Sequence, residues 1–366
     1  MNASALGVAV VGAGADHWSG TAHLPAIAAF GDLCLRRLVT SNPASAAAAA
    51  QRWGVDATHE LDAVLDDDTV DIVAVTVRVP RHAAIVEAAI AAGKHVYCEW
   101  PLAVDVAEAE RLRVLSDGRP DRVHLTGLQG RFSPQVRTAA RLLAAGRIGR
   151  PLTANLRLFL PHGLMPRPAH RAHLRHRGVA ANVLSIQGGH TLDMLGMVLG
   201  PSRVGAARLW SAVPEFVTDT GERLPRDAPD NLVAVLDYDG VVAVAQFSQT
   251  GPNESFELEI LGTEGLLRLA GTGQPQFGGL TLSLTPFGSR TAETVEPSPE
   301  LSYGSPLPAG HPGHNVASAY AAMAAAIRTG HADVPLPDFR SAVNLHKFLA
   351  DIAAQAVDSA VSRYSY

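Results

Sequence analysis

The stretch Asp71–Leu102, DIVAVTVRVPRHAAIVEAAIAAGKHVYCEWPL, decides the fold. It opens on a continuous apolar run, Ile72 to Val77, rich in β-branched residues, which predicts a strand buried on both faces. Pro80, which has no N–H to give a sheet, ends that strand. Ala83 to Ala92 is alanine-rich, with Ile85, Val86 and Ile90 at helical spacing, and Gly93 supplies the stop. A second short strand, His95 to Cys98, then runs into Glu99-Trp100-Pro101. The unit is strand–helix–strand, and open α/β sheets bind their ligands at corners beyond the strand ends.

The preceding residues repeat the pattern. Leu6 to Val11 is an apolar strand, followed by Gly12-Ala13-Gly14 and a helix with Leu24, Ile27 and Ala28 on one face. Such a turn lets the backbone approach a pyrophosphate at a helix N-terminus. The spacing is irregular: a strict G-x-G-x-x-G needs glycine where His17 stands, and the next glycine is Gly20. A nucleotide site and a plain tight turn are both open readings. Leu33 to Val39 is the second strand; it ends in Thr40-Ser41-Asn42-Pro43, with Arg36 and Arg37 just before, and no carboxylate waits for a ribose 2′-hydroxyl. That favours NADP(H) over NAD(H), which stays possible. The alternative is that these residues cap the helix Ala44 to Gly54. After a third unit at Leu61–Leu65 and the opening stretch come an amphipathic helix, Ala103 to Leu115, and a strand, Val123 to Leu128, leading into Gln129–Pro134. This β–α alternation predicts a doubly wound parallel sheet over residues 1–130.

Beyond it the pattern changes. A helix, Pro134 to Ala145, precedes a strand, Leu152 to Leu160. A histidine- and arginine-rich segment follows, His162 to Arg177, and then a helix, Asn182 to Leu199. From Val204 to Leu284 apolar strands alternate with hairpin signals, Tyr238-Asp239-Gly240 and Gly262-Thr263-Glu264-Gly265. Thr285 to Pro312 has no periodicity and reads as a surface loop, and helices at Asn315–Thr329 and Arg340–Ser359 close the chain. Residues 131–366 are thus an α+β domain on an open, mainly antiparallel sheet, with its last helices free to pack back on the first domain.

The totals exclude several classes. At 366 residues the chain is long for one core and suits two domains. Hydrophobic content of 47% and charged content of 18% describe a globular protein, and a net charge of -5 makes no case for nucleic acid. No apolar run reaches the roughly 18–20 residues of a membrane span. The N-terminus has no basic segment ahead of an apolar one, so no signal peptide is read and a cytoplasmic location is expected. Cys34 and Cys98, beside or within strands, read as buried thiols, and no Cys/His spacing suggests a metal. Lys94 and Lys347 are the only lysines.

Taken together, these motifs resemble the Gfo/Idh/MocA oxidoreductases. The resemblance rests on the glycine turn with His23-Leu24-Pro25-Ala26-Ile27, on Val79-Pro80-Arg81-His82, on Gly93-Lys94-His95-Val96 with Glu99-Trp100-Pro101-Leu102, on the Gln129–Pro134 loop, on Gly149 and on Gly189-His190-Thr191-Leu192-Asp193. Within the family the chain is most similar to the Gal80-like branch. The shared features are the inserted Asp16-His17-Trp18, the Val77-Arg78-Val79-Pro80 corner, Glu-Trp-Pro in place of Glu-Lys-Pro, and Leu128-Gln129-Gly130-Arg131. The resemblance implies cofactor contacts from Gly12, Gly14, Trp18, Thr40, Ser41, Asn42, Thr76, Val77, Val79, Pro80, His82, Glu99, Trp100, Gln129 and Arg131. It implies substrate contacts from His162, Arg171, His173, Asn182 and Gln187, and pairing into a homodimer or homotetramer through the open face of the antiparallel sheet. The family's usual lysine is replaced by Trp100 and its usual aspartate by Ile186, leaving His190 as the expected acid/base. Lys94 matches a turn used structurally.

Each candidate has a plainer reading. His190 is either a base or a helix histidine satisfied at an interface. Trp18 and Trp100 either stack on a ligand or simply pack. The cations between His162 and Arg177 either meet an anionic substrate or form a solvated face. Two functions follow: an NAD(P)-dependent oxidoreductase acting on a sugar-like or other small metabolite, or a catalytically silent, nucleotide-sensing regulator.

Overall fold

A computed structural model describes residues 5–14, 17–301, 303 and 305–356. Its first sheet has six parallel strands: β1 (Leu6–Val11), β2 (Leu33–Val39), β3 (Ala57–Thr58), β4 (Ile72–Val75), β5 (His95–Glu99) and β6 (His124–Gly127). Their order is β3-β2-β1-β4-β5-β6, so the sheet reverses direction of growth between β1 and β4. The glycine turn and the Thr76–His82 loop leave the sheet at that point, where a doubly wound fold opens a crevice. Strand β4 is wholly buried, as its unbroken β-branched run requires. It stops at Val75, two residues short of the expected end, because both the amide and the hydroxyl of Thr76 turn to the Val11 carbonyl (2.9 and 2.8 Å).

The helices of this half are α1 (Leu24–Ala28), α2 (Pro43–Trp53), α3 (Asp62–Leu65), α4 (His82–Ala91) and α5 (Val106–Asp117). A π-helical turn, Ser19–His23, opens into α1. On one sheet face Ala9, Val11, Val73 and Val75 share a core with Val86 and Ile90 of α4 and Leu112 of α5.

A helix α6 (Pro134–Ala144) leads to the second sheet, which has eight strands in a mostly antiparallel arrangement. Its central strand β7 (Pro151–Phe159) pairs antiparallel with β13 (Ser255–Gly262) and parallel with β12 (Val241–Ser248). The other members are β8 (Arg203–Trp210), β11 (Asn231–Tyr238), β14 (Gly265–Gly271), β15 (Thr281–Pro286) and β16 (Glu293–Thr294), while β9 (Glu215–Val217) and β10 (Arg223–Pro225) form a separate hairpin. The Asp239-Gly240 and Thr263-Glu264 turns are where the sequence places them, but the expected loop after Leu284 is shorter than expected: β15 extends to Pro286 and β16 adds an edge strand. Period-two burial along β7 puts Ala154, Leu156 and Leu158 inside. The opposite face of the sheet leaves Leu152, Val235, Val242, Val244 and Leu261 exposed.

Three further helices complete the chain. The expected Asn182–Leu199 helix begins as a π-helical turn, Val183–Gly188, and continues as α7 (Gly189–Leu199). Helix α8 (His314–Thr329) returns to the first sheet: Val316, Ala319, Tyr320 and Met323 lie in one apolar cluster with Val8, Val10, Ile72 and Ala74. Helix α9 (Phe339–Gln355) packs on α5 and β8; the remainder of its expected span, to Ser359, lies outside the described residues, as does Asp16. Cys98 is buried and Cys34 only half-buried, and neither forms a disulfide. No helix among the described residues is long and apolar enough to cross a membrane, and no group of three or more candidate metal ligands occurs among them.

Candidate active site

The glycine turn is a close-packed cradle. Gly12 has φ +104°, and an added Cβ would lie 3.0 Å from the Thr76 hydroxyl and from a Val77 methyl, so only hydrogen fits. The amides of Gly12 and Ala13 both donate to the Val39 carbonyl (2.8 and 3.2 Å), tying the ends of β1 and β2 together. Ser19 donates its hydroxyl to the Gly12 carbonyl at 2.8 Å. Beyond β2, Asn42 and Ser45 form a reciprocal cap on α2 (2.9 and 3.2 Å), and Ser45 donates to the Thr40 hydroxyl at 2.9 Å. Capping is therefore one use of the Thr40–Asn42 segment, although the exposed Ser41 and Asn42 remain open to solvent. Arg37 is committed to Asp67 at 2.7 Å.

The Glu99 corner is a buried polar circuit. Oε1 of Glu99 accepts from His23 Nε2 at 2.9 Å and from Gln129 Nε2 at 2.8 Å; Oε2 accepts from the same amide at 3.1 Å. With its proton on Nε2, His23 accepts at Nδ1 from the Tyr320 hydroxyl of α8, 2.8 Å away. His23, Gln129 and Tyr320 are fully buried. Burial pushes the Tyr97 and Tyr320 phenols, and the Cys98 thiol, well above their usual ranges, so all three stay protonated.

Beside it, the indole N–H of Trp100 donates to the Ser185 carbonyl at 2.7 Å, and the ring packs 4.6 Å from His346. A Cβ on Gly189 would come within 2.2 Å of that nitrogen, so the start of α7 passes directly over the indole. The ring nitrogens of His82 face the carbonyls of Val77 and Pro101 at 2.9 Å, joining the ends of β4 and β5. Lys94 is buried far from this corner and caps the carbonyls of Asp67 and Val70 (2.8 and 2.9 Å), in keeping with a structural role.

Between the two sheets lies a cavity of about 600 Å³. Of the expected site residues it gathers Trp18, Thr76, Val77, Val79, Pro80, His82, Glu99, Trp100 and Gln129 on the side of the first sheet. On the other side it gathers His162, Arg171, His173, Asn182, Gln187 and His190. Gly12, Gly14, Thr40, Ser41, Asn42 and Arg131 do not line it. The expected cofactor contact from Arg131 meets a competing use: its guanidinium is held by Asp193 through bonds of 2.6 and 2.9 Å, in a largely buried pair. Asn182 lines the cavity but uses its side-chain oxygen to cap the next helix through Leu184 and Ser185.

His190 is 7% exposed, and its Nδ1 has no hydrogen-bond partner among the described residues. Burial lowers its pKa from the ordinary 6.5 to about 4, against the opposing pull of Glu99 and Asp193, so the ring is neutral at physiological pH. Other cavity-lining residues also hold buried, unpartnered polar atoms: Trp18 Nε1, Gln129 Oε1 and Gln276 Oε1. Each such atom costs about 1–3 kcal/mol if left unmatched.

Sequence reasoning passed over Arg167, Arg226, Gln249, Gln274 and Gln276, all of which line the cavity. Arg226 donates to the Gln249 side-chain oxygen at 2.7 Å, and Gln249 donates to Gln187 at 3.2 Å. Arg167 lay within the basic segment already noticed. The glutamines sit at strand ends and in the Pro275–Phe277 turn, where nothing local distinguishes them.

Comparison with known proteins agrees with this architecture. Residues 6–126 match the oxidoreductase family with an NAD-binding Rossmann fold, and residues 136–268 match the GFO/IDH/MocA C-terminal domain. Dehydrogenase aclE of Aspergillus oryzae is 32% identical over 270 residues, covering 69% of this chain and 72% of that protein. Levoglucosan dehydrogenase of Pseudarthrobacter phenanthrenivorans is 26% identical over 287 residues, covering 71% and 72%. The solved structure of a super-repressor mutant of Gal80p from Saccharomyces cerevisiae matches with a TM-score of 0.82 at 21% identity, covering 96% of this chain and 95% of that one, a likeness of fold. The two matched domains and the dehydrogenase relatives make this chain a member of the Gfo/Idh/MocA oxidoreductase family.

Proposed function

We propose that the protein is an NAD(P)(H)-dependent oxidoreductase that interconverts a secondary alcohol and a ketone, or reduces a related C=O or C=N group, on a sugar-like or other small polar metabolite. The observation that carries this reading is His190: a neutral, largely buried imidazole lining a cavity shared by the glycine-turn side and a glutamine-rich wall. The cradle at Gly12 suits a dinucleotide, whose nicotinamide supplies or accepts the hydride. Because no carboxylate follows β2, NADP(H) is the preferred cofactor and NAD(H) is accepted. With Arg37 engaged by Asp67, discrimination between the two is expected to be modest.

His190 then acts through a hydrogen bond to the reacting oxygen. An imidazole with a pKa of about 4 is a weak base in the resting site. Negative charge developing on that oxygen favours the imidazolium and raises its basicity as the reaction proceeds. Glu99 stands behind it with the same sign of influence. The glutamine wall supplies both donors and acceptors for hydroxyl groups. The test is to give purified protein NADPH or NADH with a panel of ketoses, keto-cyclitols and imines. Falling nicotinamide absorbance with at least one of them is expected. Tight cofactor binding with no turnover across the panel overturns the enzyme reading.

One observation favours a second reading, a regulator that senses the nucleotide. The family's usual lysine position holds Trp100, whose only polar hydrogen is taken by Ser185, and Ile186 presents hydrocarbon where an aspartate is usual. A cofactor-dependent protein complex in pull-downs, without turnover, is its signature. Under either reading, the apolar side chains exposed on the second sheet support pairing into a homodimer or homotetramer. A monomer in sedimentation runs contradicts that.

A further inference from the structure

We infer that the far end of the cavity is an oxyanion subsite built on Arg167 and Arg171, with Arg226 behind them, and that the substrate is an acidic metabolite carrying a carboxylate or a phosphate. This rests on the reading of the cavity as a substrate site.

The His162–Arg177 segment divides by the direction its cations face. Two of those turned outward have partners: Arg175 donates to the Pro225 carbonyl at 3.3 Å, and His176 lies 3.9 Å from Asp227, which also accepts the backbone amide of Arg177 at 2.9 Å. Arg167 and Arg171 line the cavity instead, and among the described residues neither guanidinium has an ion pair or a hydrogen bond. Arg226 is anchored, with Gln249 at 2.7 Å, the Ala228 carbonyl at 3.2 Å and buried Asp230 at 3.6 Å. Asp230 in turn receives the amides of Ala212 and Val213, so it belongs to the scaffold. Two further carboxylates lie nearby: Asp219 accepts the Ala169 amide at 3.0 Å, and Glu254 sits 3.5 Å from His162 and partly offsets the Arg167 charge from beyond ion-pair distance.

Cations gathered in a half-buried site are costly unless an anion offsets them. At Arg167 burial first, then Arg171 and Arg226, lower the pKa to about 10 against a weaker opposing pull from Glu254, which still leaves it charged at neutral pH. The planar guanidinium fork matches carboxylate and phosphate oxygens in pairs, with better geometry than neutral hydroxyls. The plainer reading, a solvated basic face, accounts for Arg175, Arg177 and the exposed Arg171 taken singly, but not for the half-buried Arg167 beside Arg171 on a cavity wall.

The experiment is calorimetric titration of the full-length protein with glucuronate, glucose 6-phosphate, inorganic phosphate and glucose. At least one of the acidic probes is expected to bind about tenfold or more tighter than glucose, in line with the strength of charge-assisted hydrogen bonds. The glucuronate and phosphate arms tell the two oxyanions apart. Arg167→Gln and, separately, the exposed Arg171→Gln should each remove about tenfold of that preference. NADH affinity and the thermal midpoint, measured alongside, should not change. Equal binding of glucose and all acidic probes overturns the inference, as does wild-type anion affinity in both variants. The two readings separate cleanly. Absence of NADH binding refutes the oxidoreductase proposal alone, whereas NADH binding without an anion preference refutes the subsite alone.

Discussion

The two walls of the cavity treat charge in opposite ways. On the first-sheet side Glu99, His23, Gln129 and Tyr320 are linked to one another by hydrogen bonds of 2.8–3.1 Å, with only Oε1 of Gln129 left over. On the second-sheet side Arg167 and Arg171 face the cavity with no protein partner among the described residues. A buried circuit fixes geometry, because breaking any link strands a polar group in a low dielectric. Unmatched groups fix nothing by themselves and select what comes to them. On the reading proposed above, the Glu99 cluster frames the site and Arg167 and Arg171 read the ligand, with His190 between them.

The largest expected effect lies at that midpoint. His190→Ala should lower turnover by about 10²–10⁴-fold while NADH still binds, as measured by steady-state kinetics and cofactor titration. A loss below about tenfold makes His190 a packing residue and removes the midpoint from the contrast. Next, Glu99→Ala leaves His23 and Gln129 without their acceptor, and urea unfolding should show a loss of about 3–5 kcal/mol. Arg171→Gln, on the reading wall, should stay within about 0.5 kcal/mol of wild type. Equal costs for the two changes would erase the distinction drawn above.

Acid should sharpen it further. His95, His124, His162, His190 and His346 all have pKa values lowered from 6.5 to about 4, with burial the first cause in each. A histidine lowered in this way binds fewer protons folded than unfolded. Its stability contribution is whole above 6.5 and is lost as pH falls from there through about 4. The urea midpoint should therefore drop steadily across that window; a flat profile breaks the claim of buried neutral imidazoles. Trp100→Phe, which keeps an aromatic ring and removes the bond to Ser185, should cost about 1 kcal/mol in the same unfolding assay, well below Glu99→Ala.

What was legible beforehand follows from the range of the interactions. Strands β1 and β2 were readable to the residue, because an apolar run between turn residues is a local signal. The Asp239-Gly240 turn was readable for the same reason: Asp239 adopts φ +52° and Gly240 φ +89°, which few other pairs tolerate. The cavity was legible only as a set of motifs. Arg131 looked like a cofactor contact because nothing within its loop announces Asp193, 62 positions away, which claims it. Trp100 lines the cavity, and nothing near it in sequence announces that Ser185, 85 positions on, takes its N–H. The basic segment was visible as composition, but which cations face inward depends on the hairpin of β9 and β10 and on the Asp227 side chain outside it.

Helix α8 carries a consequence for how the protein is made. The ribosome delivers residues 6–127, the whole first sheet, long before it delivers residues 314–329. Until then Val8, Val10, Ile72 and Ala74 lack the surface that finally covers them, and His23 lacks Tyr320. A nascent chain in that interval holds a sheet with one unsealed apolar face, the kind of surface chaperones recognise and neighbouring chains stick to. A fragment cut after Leu128 is expected to expose that face and aggregate, and fusions or tags that delay α8 should lower soluble yield more than equal burdens at the front of the chain.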